Sequence, residues 1–253
     1  MPFTGRMETS GSNGRALRIE GLVNVRDLGG LRRNDRALTP TGVFYRSENL
    51  DWVGKTGWDE LHAAGIRTVV DLRQQQERDS DTQARPAWLT SVHVDLDGIE
   101  NEAFWNDFWD NGLVGTALYF LPHIQAMPQR LGAALSAIAN AKPGGVLFHC
   151  MGGRDRTGLV AMALLVAAGV EPEDIVDDYL ETVRLGDTRA AQGNCNNSEP
   201  ALEELCRQNG TTTEGAFRDA LDGFNLEEFF AAAKLSADER EALLTWRGSL
   251  PRK

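Results

Sequence analysis

Cysteine is scarce in this chain: Cys150, Cys195 and Cys206 are the three among 253 residues. So few cysteines exclude a disulfide framework, and a chain this long can bury a core without one. Cys195 and Cys206 have no metal-ligand spacing with the four histidines, and neither a metal nor another cofactor is expected. No apolar run is long enough to cross a bilayer, which excludes stable membrane insertion. Positive charge is also short. Against 37 Asp and Glu there are 26 Lys and Arg, a formal charge of −11. That balance argues against nucleic acid and acidic membrane surfaces as partners. The start of the chain has no hydrophobic signal core, and residues 1–15 read as a disordered lead-in. With few cysteines and no leader, a cytoplasmic location is expected, with signal-independent secretion left open. There is no internal repeat and no low-complexity tract.

What is present alternates between strand and helix patterns, the sign of an α/β protein whose central, largely parallel, twisted sheet is flanked by helices. Strands are expected at residues 22–30, a short one ending in the turn Gly29-Gly30, and at 43–47, 66–72 and 91–96, with the β-branched run at 66–72 central. A helix is expected over 56–64, capped by Thr56 and stopped by Gly65. Residues 99–125 carry Phe104, Trp105, Phe108, Trp109, Tyr119 and Phe120. Their spacing makes one aromatic helical face, either packed on the core or serving as a mobile lid. Residues 131–139 and a segment opening at Pro172 read as helices. Residues 194–200 read as a surface loop and 199–247 as a helical C-terminal part of one domain spanning 16–253.

The most informative stretch is His149-Cys150-Met151-Gly152-Gly153-Arg154-Asp155-Arg156-Thr157-Gly158. Apolar residues precede it and a long apolar run follows, the pattern of a strand, a tight turn and the start of a buried helix. Such a turn points successive N–H groups inward, at the positive end of the helix dipole. A thiol there is expected to stand as its thiolate near neutral pH. Arg156 offers a planar fork for two phosphate oxygens. A cysteine ending a buried strand is by itself usually an inert apolar residue. Core packing, however, gives no reason for an arginine six positions later or for Thr-Gly at the helix start. The set reads as a phosphate cradle with a nucleophile at its floor. Met151, Gly152, Gly153, Arg154, Asp155 and Arg156 would supply the amides, and Arg154 and Arg156 the positive charge.

His-Cys followed by five residues and Arg-Thr-Gly resembles the signature of the protein tyrosine phosphatase superfamily. Within it, the chain is similar to the bacterial tyrosine and lipid phosphatases, whose loop usually reads His-Cys-x-Ala-Gly-Lys-Asp-Arg-Thr-Gly. Asn24-Val25-Arg26-Asp27-Leu28-Gly29-Gly30, Tyr45-Arg46-Ser47, Asp71-Leu72-Arg73 with Glu77-Arg78, and the run from Asp174 to Leu180 match that branch in order. Gly152 replaces its alanine and Arg154 its lysine, the residue tied in that branch to phosphoinositide activity. The resemblance implies a cysteine-phosphatase-like fold and hydrolysis of phosphotyrosine, with phosphoserine, phosphothreonine and phosphoinositides as further substrates. The mechanism it implies is two displacements through a phosphocysteine. Cys150 attacks and Arg156 clamps, while Thr157 bonds the sulfur and His149 positions the loop. Asp155 matches the residue proposed in that branch to move the proton. Asp71, Asp95 and Asp97 follow strand-like segments and are alternatives. Asp71 is otherwise read as scaffold, as are Arg26, Arg46 and Arg73.

Two other readings compete. The substrate could be a soluble inositol phosphate or another small phosphate ester, which a deep, strongly basic pocket would favour. The chain could also be a silent phospho-ligand binding module, against which the intact Cys150, Asp155 and Arg156 argue. A sulfurtransferase has no evident use for Arg156-Thr157-Gly158.

Overall fold

The computed structural model describes residues 14–79, 81, 83–193 and 195–251. Thirteen residues of the expected lead-in therefore lie outside the described residues. Arg15, its last residue, is anchored: Nη1 donates to Asp27 O at 3.0 Å and to the Asp178 carboxylate at 2.8 Å.

Five short strands make one sheet: β1 (Arg26–Asp27), β2 (Phe44–Ser47), β3 (Ile66–Asp71), β4 (Thr90–His93) and β5 (Gly145–His149). Their order is β1-β2-β5-β3-β4, with β1 antiparallel to β2 and every other pairing parallel. The middle place thus belongs to β5, with the expected central strand β3 at its side. Both faces are covered, so alternate residues feed different cores. Tyr45, Val69 and Leu147 join Trp58 and Leu61 under the N-terminal segment. Phe44, Val70, Val146 and Phe148 face the larger core.

Several boundaries differ from expectation. The 22–30 strand shrinks to β1, because Asn24 is committed to side-chain and loop contacts, and its glycine turn stands as expected at Gly29 and Gly30. Helix α1 (Lys55–Ala63) begins one residue early, with Gly54 rather than Thr56 as its N-cap. A four-residue helix, α2 (Gln75–Arg78), follows β3 and is closed by a capping box between Gln74 and Glu77.

The aromatic segment folds as α3 (Glu102–Trp109), a 3-10 turn (Ala117–Tyr119) and α4 (Phe120–Ala126). Its inner face of Trp105, Tyr119, Phe120 and His123 is buried, while Trp109 stays 52% exposed. After α5 (Pro128–Ala139) and β5 comes α6 (Asp155–Ala168), which is buried nearly all round and ends on Gly169 in the left-handed region. Helix α7 (Pro172–Arg184) starts on Pro172 as expected.

The expected surface loop stands over residues 195–198, between α8 (Gly186–Gln192) and α9 (Glu199–Gln208), which opens on a buried glutamate. Helices α10 (Thr213–Asp222), α11 (Leu226–Ala232) and α12 (Ala237–Leu244) complete the larger face. Beyond α12, Trp246 is fully buried, edge-on to Phe44 at 4.5 Å, and donates to Pro40 O at 3.0 Å. No helix among the described residues is long and apolar enough to cross a membrane.

Candidate active site

Parallel strands end together, and here Ser47, Asp71 and His149 stand in register at the carboxyl edge of β2, β3 and β5. The chain leaves β5 at that edge, turns through Cys150 to Arg154 and starts α6 at Asp155. The carbonyls of this turn are all engaged from outside. His149 O accepts from Leu72 N at 2.9 Å, Cys150 O from His149 Nδ1 at 3.1 Å, and Met151 O from Asn49 N at 2.9 Å. Gly152 O accepts from Asn24 Nδ2 at 3.2 Å and Gly153 O from Arg46 Nη2 at 2.7 Å. With the carbonyls held outward, no backbone N–H from Met151 to Arg156 finds an acceptor among the described residues. A run of free amides at a helix N-terminus is an anion site.

Cys150 lies at its floor, 2% exposed, and Thr157 Oγ1 is 3.2 Å from its sulfur. Burial pushes His149 down to about 4, so the ring is neutral. Its proton sits on Nδ1, since the carbonyl it meets can only accept. The other nitrogen is 3.9 Å from Asp71. Burial alone would raise Asp71, but hydrogen bonds from Arg73 hold its carboxyl well below the usual range. Arg73 is itself fully buried and also donates to Asp51 at 2.7 Å. Asp71 thus reaches the loop through Arg73, whose Nη1 also lies 3.9 Å from Met151 Sδ.

The two guanidiniums differ. Arg156 pairs with both oxygens of Glu77, one at 2.7 Å, and with Asp97 at 3.0 Å. Burial opposes its charge, but the Glu77 hydrogen bonds and the neighbouring Cys150, Asp97 and Glu77 charges keep it firmly cationic. Arg154 is turned into the protein. Its Nε donates to Glu199 at 2.9 Å, its Nη1 to Asp155 at 2.9 Å and to Gly115 O, and it lies 5.5 Å over the Tyr179 ring. An arginine can span those partners at once where a lysine could not. What Arg154 offers an anion is its backbone; its side chain ties the loop to α9. Asp155, next to it, carries that ion pair.

Glu77, Glu199 and Asp178 are the site's supporting carboxylates that no motif argument had assigned a role. For Glu77 a signal existed, its place in the Asp71-to-Arg78 match. For Glu199, inside an expected loop, there was none.

The loop's two glycines respond differently to a methyl group. Gly153 has φ +67°, and an added Cβ would come within 2.6 Å of Ser47 O and 2.7 Å of Glu48 N. At Gly152 the nearest atom is Arg189 Nη1 at 3.1 Å, the end of a side chain that can shift. Gly153→Ala is expected to lower stability by about 2–4 kcal/mol, left-handed strain plus backbone collision. Gly152→Ala, which restores the residue usual in similar loops, is expected to stay within about 0.5 kcal/mol. Thermal unfolding of the two variants checks the contrast.

A family model described as the tyrosine phosphatase family matches residues 17–246. A protein of Cupriavidus necator named as a putative tyrosine-protein phosphatase is 29% identical over 66% of this chain and 62% of its own length. A tyrosine-protein phosphatase of Nostoc commune is 32% identical over 55% of this chain and 48% of its own. The triple specificity protein phosphatase PtpB of Mycobacterium tuberculosis is 29% identical over 87% of this chain and 88% of its own. The matches to the first two therefore span less than two thirds of those relatives.

Proposed function

The chain belongs to the tyrosine phosphatase family, and from that membership we propose that it hydrolyses phosphomonoesters, phosphotyrosine first among them, through a phosphocysteine. One observation carries the reading. Cys150 lies beneath a turn whose amides are free and whose carbonyls are all held outward, with Thr157 against the sulfur.

In the first displacement the sulfur attacks phosphorus, and the amides of Met151 to Arg156 hold the non-bridging oxygens. Arg156 tightens on them as charge moves outward. In the second, water attacks phosphorus and the sulfur leaves, eased by the Thr157 hydroxyl. None of these steps calls for a metal, since amides and guanidinium carry the charge neutralisation.

Phosphoserine, phosphothreonine and phosphoinositides are further substrates in this reading. A soluble inositol polyphosphate is disfavoured by the pairing of the loop's arginines: Arg154 is spent on Glu199 and Asp155, Arg156 on Glu77 and Asp97. A ligand with several phosphates needs unpaired cations at the mouth. Cys150, Cys195 and Cys206 are all free thiols, which favours a reducing compartment such as the cytoplasm.

Turnover of a phosphotyrosine peptide, a phosphoserine peptide, a phosphatidylinositol phosphate and inositol hexakisphosphate, side by side, tests the proposal. The phosphotyrosine peptide is expected to give the highest kcat/KM, abolished by vanadate. Faster turnover of inositol hexakisphosphate would overturn the substrate assignment. Absence of any vanadate-sensitive turnover would overturn the activity.

A further inference from the structure

Both displacements move a proton. When the P–O bond to the leaving group breaks, its electron pair stays on an oxygen that must be protonated, and the attacking water must later lose a proton. We propose that Asp97, on the loop after β4, is the residue that gives and then retakes this proton, an inference that rests on the phosphatase reading above.

The placement of Asp97 is fixed from several sides. Its Oδ2 lies 3.0 Å from Arg156 Nη1, on the guanidinium that grips the phosphate, and 2.7 Å from Gln74 Nε2. Its carbonyl accepts from Trp105 Nε1 at 3.0 Å and His123 Nε2 at 3.3 Å, and its N–H donates to Asp95 Oδ1 at 3.0 Å. The aromatic segment thus acts as a buttress whose indole and imidazole hold one carboxyl against the clamp. Asp97 is 6% exposed.

The groups facing it are Arg156 from α6, Gln74 and Glu77 from α2, Asp95 in its own loop, His123 from α4 and Tyr119 from the 3-10 turn. Burial pushes its carboxyl up. Arg156 and Gln74 oppose the rise without cancelling it, and the Glu77 and Asp95 charges add to it. Glu77, which takes both guanidinium nitrogens, is by contrast held below its ordinary value. The two carboxyls on Arg156 therefore differ in geometry: Glu77 meets both guanidinium nitrogens as the counter-ion, whereas Asp97 meets one and is the carboxyl placed to exchange a proton. Asp155 has a different partner, the buried Arg154, 2.9 Å away.

In the forward step the S–P bond forms and the P–O bond breaks. The proton passes from Asp97 to the leaving oxygen, leaving a carboxylate. In the second step water's oxygen bonds phosphorus, the S–P bond breaks to return the thiolate, and the water proton goes to Asp97.

The test compares Asp97→Asn and Asp155→Asn on phenyl phosphate and p-nitrophenyl phosphate, reading kcat/KM, which covers only the steps up to the phosphocysteine. Nitrophenolate leaves with little help, whereas phenolate needs the proton. Asp97→Asn is expected to lower phenyl phosphate turnover by about 10²–10³-fold and p-nitrophenyl phosphate by less than about 10-fold. It should also flatten the alkaline fall of the phenyl phosphate profile. Asp155→Asn is expected to lower both substrates alike and keep that fall.

An equal loss on both substrates in Asp97→Asn would make the residue a mere anchor for Arg156 and overturn the proposal. A leaving-group gap in Asp155→Asn alone would overturn it too. If Asp97→Asn does not fold, Asp97→Glu, which keeps but displaces the carboxyl, is expected to open the same gap, and its failure to do so overturns the proposal. A wild-type protein inactive on both esters would instead defeat the phosphatase reading itself.

Discussion

Cys150→Ser is expected to lose turnover of a phosphotyrosine peptide by on the order of 10⁴–10⁶-fold, the scale of removing an activated nucleophile, and still to bind the peptide. The sulfur and its replacement differ by one atom, so the fold has little to lose. Thr157 keeps a hydroxyl partner in place of the sulfur it meets at 3.2 Å. The difference is chemical: an alcohol gives almost no anion at neutral pH, and no general base stands beside it. His149 is neutral but spends its proton-bearing nitrogen on Cys150 O and turns the other towards Asp71. Binding should survive because, in the proposed arrangement, the amides and Arg156 make the anion site and Cys150 does not. Replacing the sulfur beneath the anion site should leave Kd equal or lower. Isothermal titration of the variant, with single-turnover kinetics, reads both quantities. Retained turnover, or lost binding, would contradict the arrangement.

Much of this site was legible because a short motif fixes local geometry: strand, turn and helix N-terminus are specified by contiguous residues. The alternating α/β pattern was equally local, and so was the helix opening at Pro172. What escaped was long-range. No periodicity says that Glu199 will reach back to Arg154, or that the α8 and α9 segment will close on the loop at all. The short strands suffered for a related reason. Residues 22–25 have strand-like composition, yet Glu48 captures the amides of Val23 and Asn24 and takes them out of the sheet. The Thr56 cap failed because a threonine one residue inside the helix is as consistent with the sequence as one at its cap. Composition also set a puzzle, an acidic chain for an anionic ligand. The resolution is local. The free amides of Met151 to Arg156 face the site, while Arg26, Arg46 and Arg73, buried around the loop, are matched by Asp178, Asp71 and Asp51.

That buried charge leads to the largest expected loss of stability, in Asp178→Asn. Asp178 lies on α7, 1% exposed, and its carboxylate receives Arg15 at 2.8 Å, Arg26 at 2.9 Å and Arg46 at 2.6 Å. Burial and the Arg26 charge push Arg46 down to about 10, still cationic at neutral pH, with Asp178 opposing the fall. An amide of the same shape leaves these cations without their counter-ion, at a cost of about 3–5 kcal/mol. The cost extends to the site, since Arg46 holds Gly153 O and Arg26 holds Asn24, which holds Gly152 O. The variant should therefore also lose kcat/KM at temperatures where it remains folded.

The pH dependence has a definite sign. Burial would raise the Asp178 carboxyl, but the Arg26, Arg46 and Arg15 charges hold it far below its ordinary value of 3.8. A depressed folded-state value stabilises fully above the unfolded one and is lost as pH falls beneath it. The gap between wild type and variant should be constant from pH 7 down to about 5. Below about 3.8 it should narrow by about 1.4 kcal/mol per pH unit. Urea unfolding of both proteins across that range measures it. A gap that widened towards acid, or a variant as stable as wild type at pH 7, would mean that the three arginines find their counter-charge elsewhere.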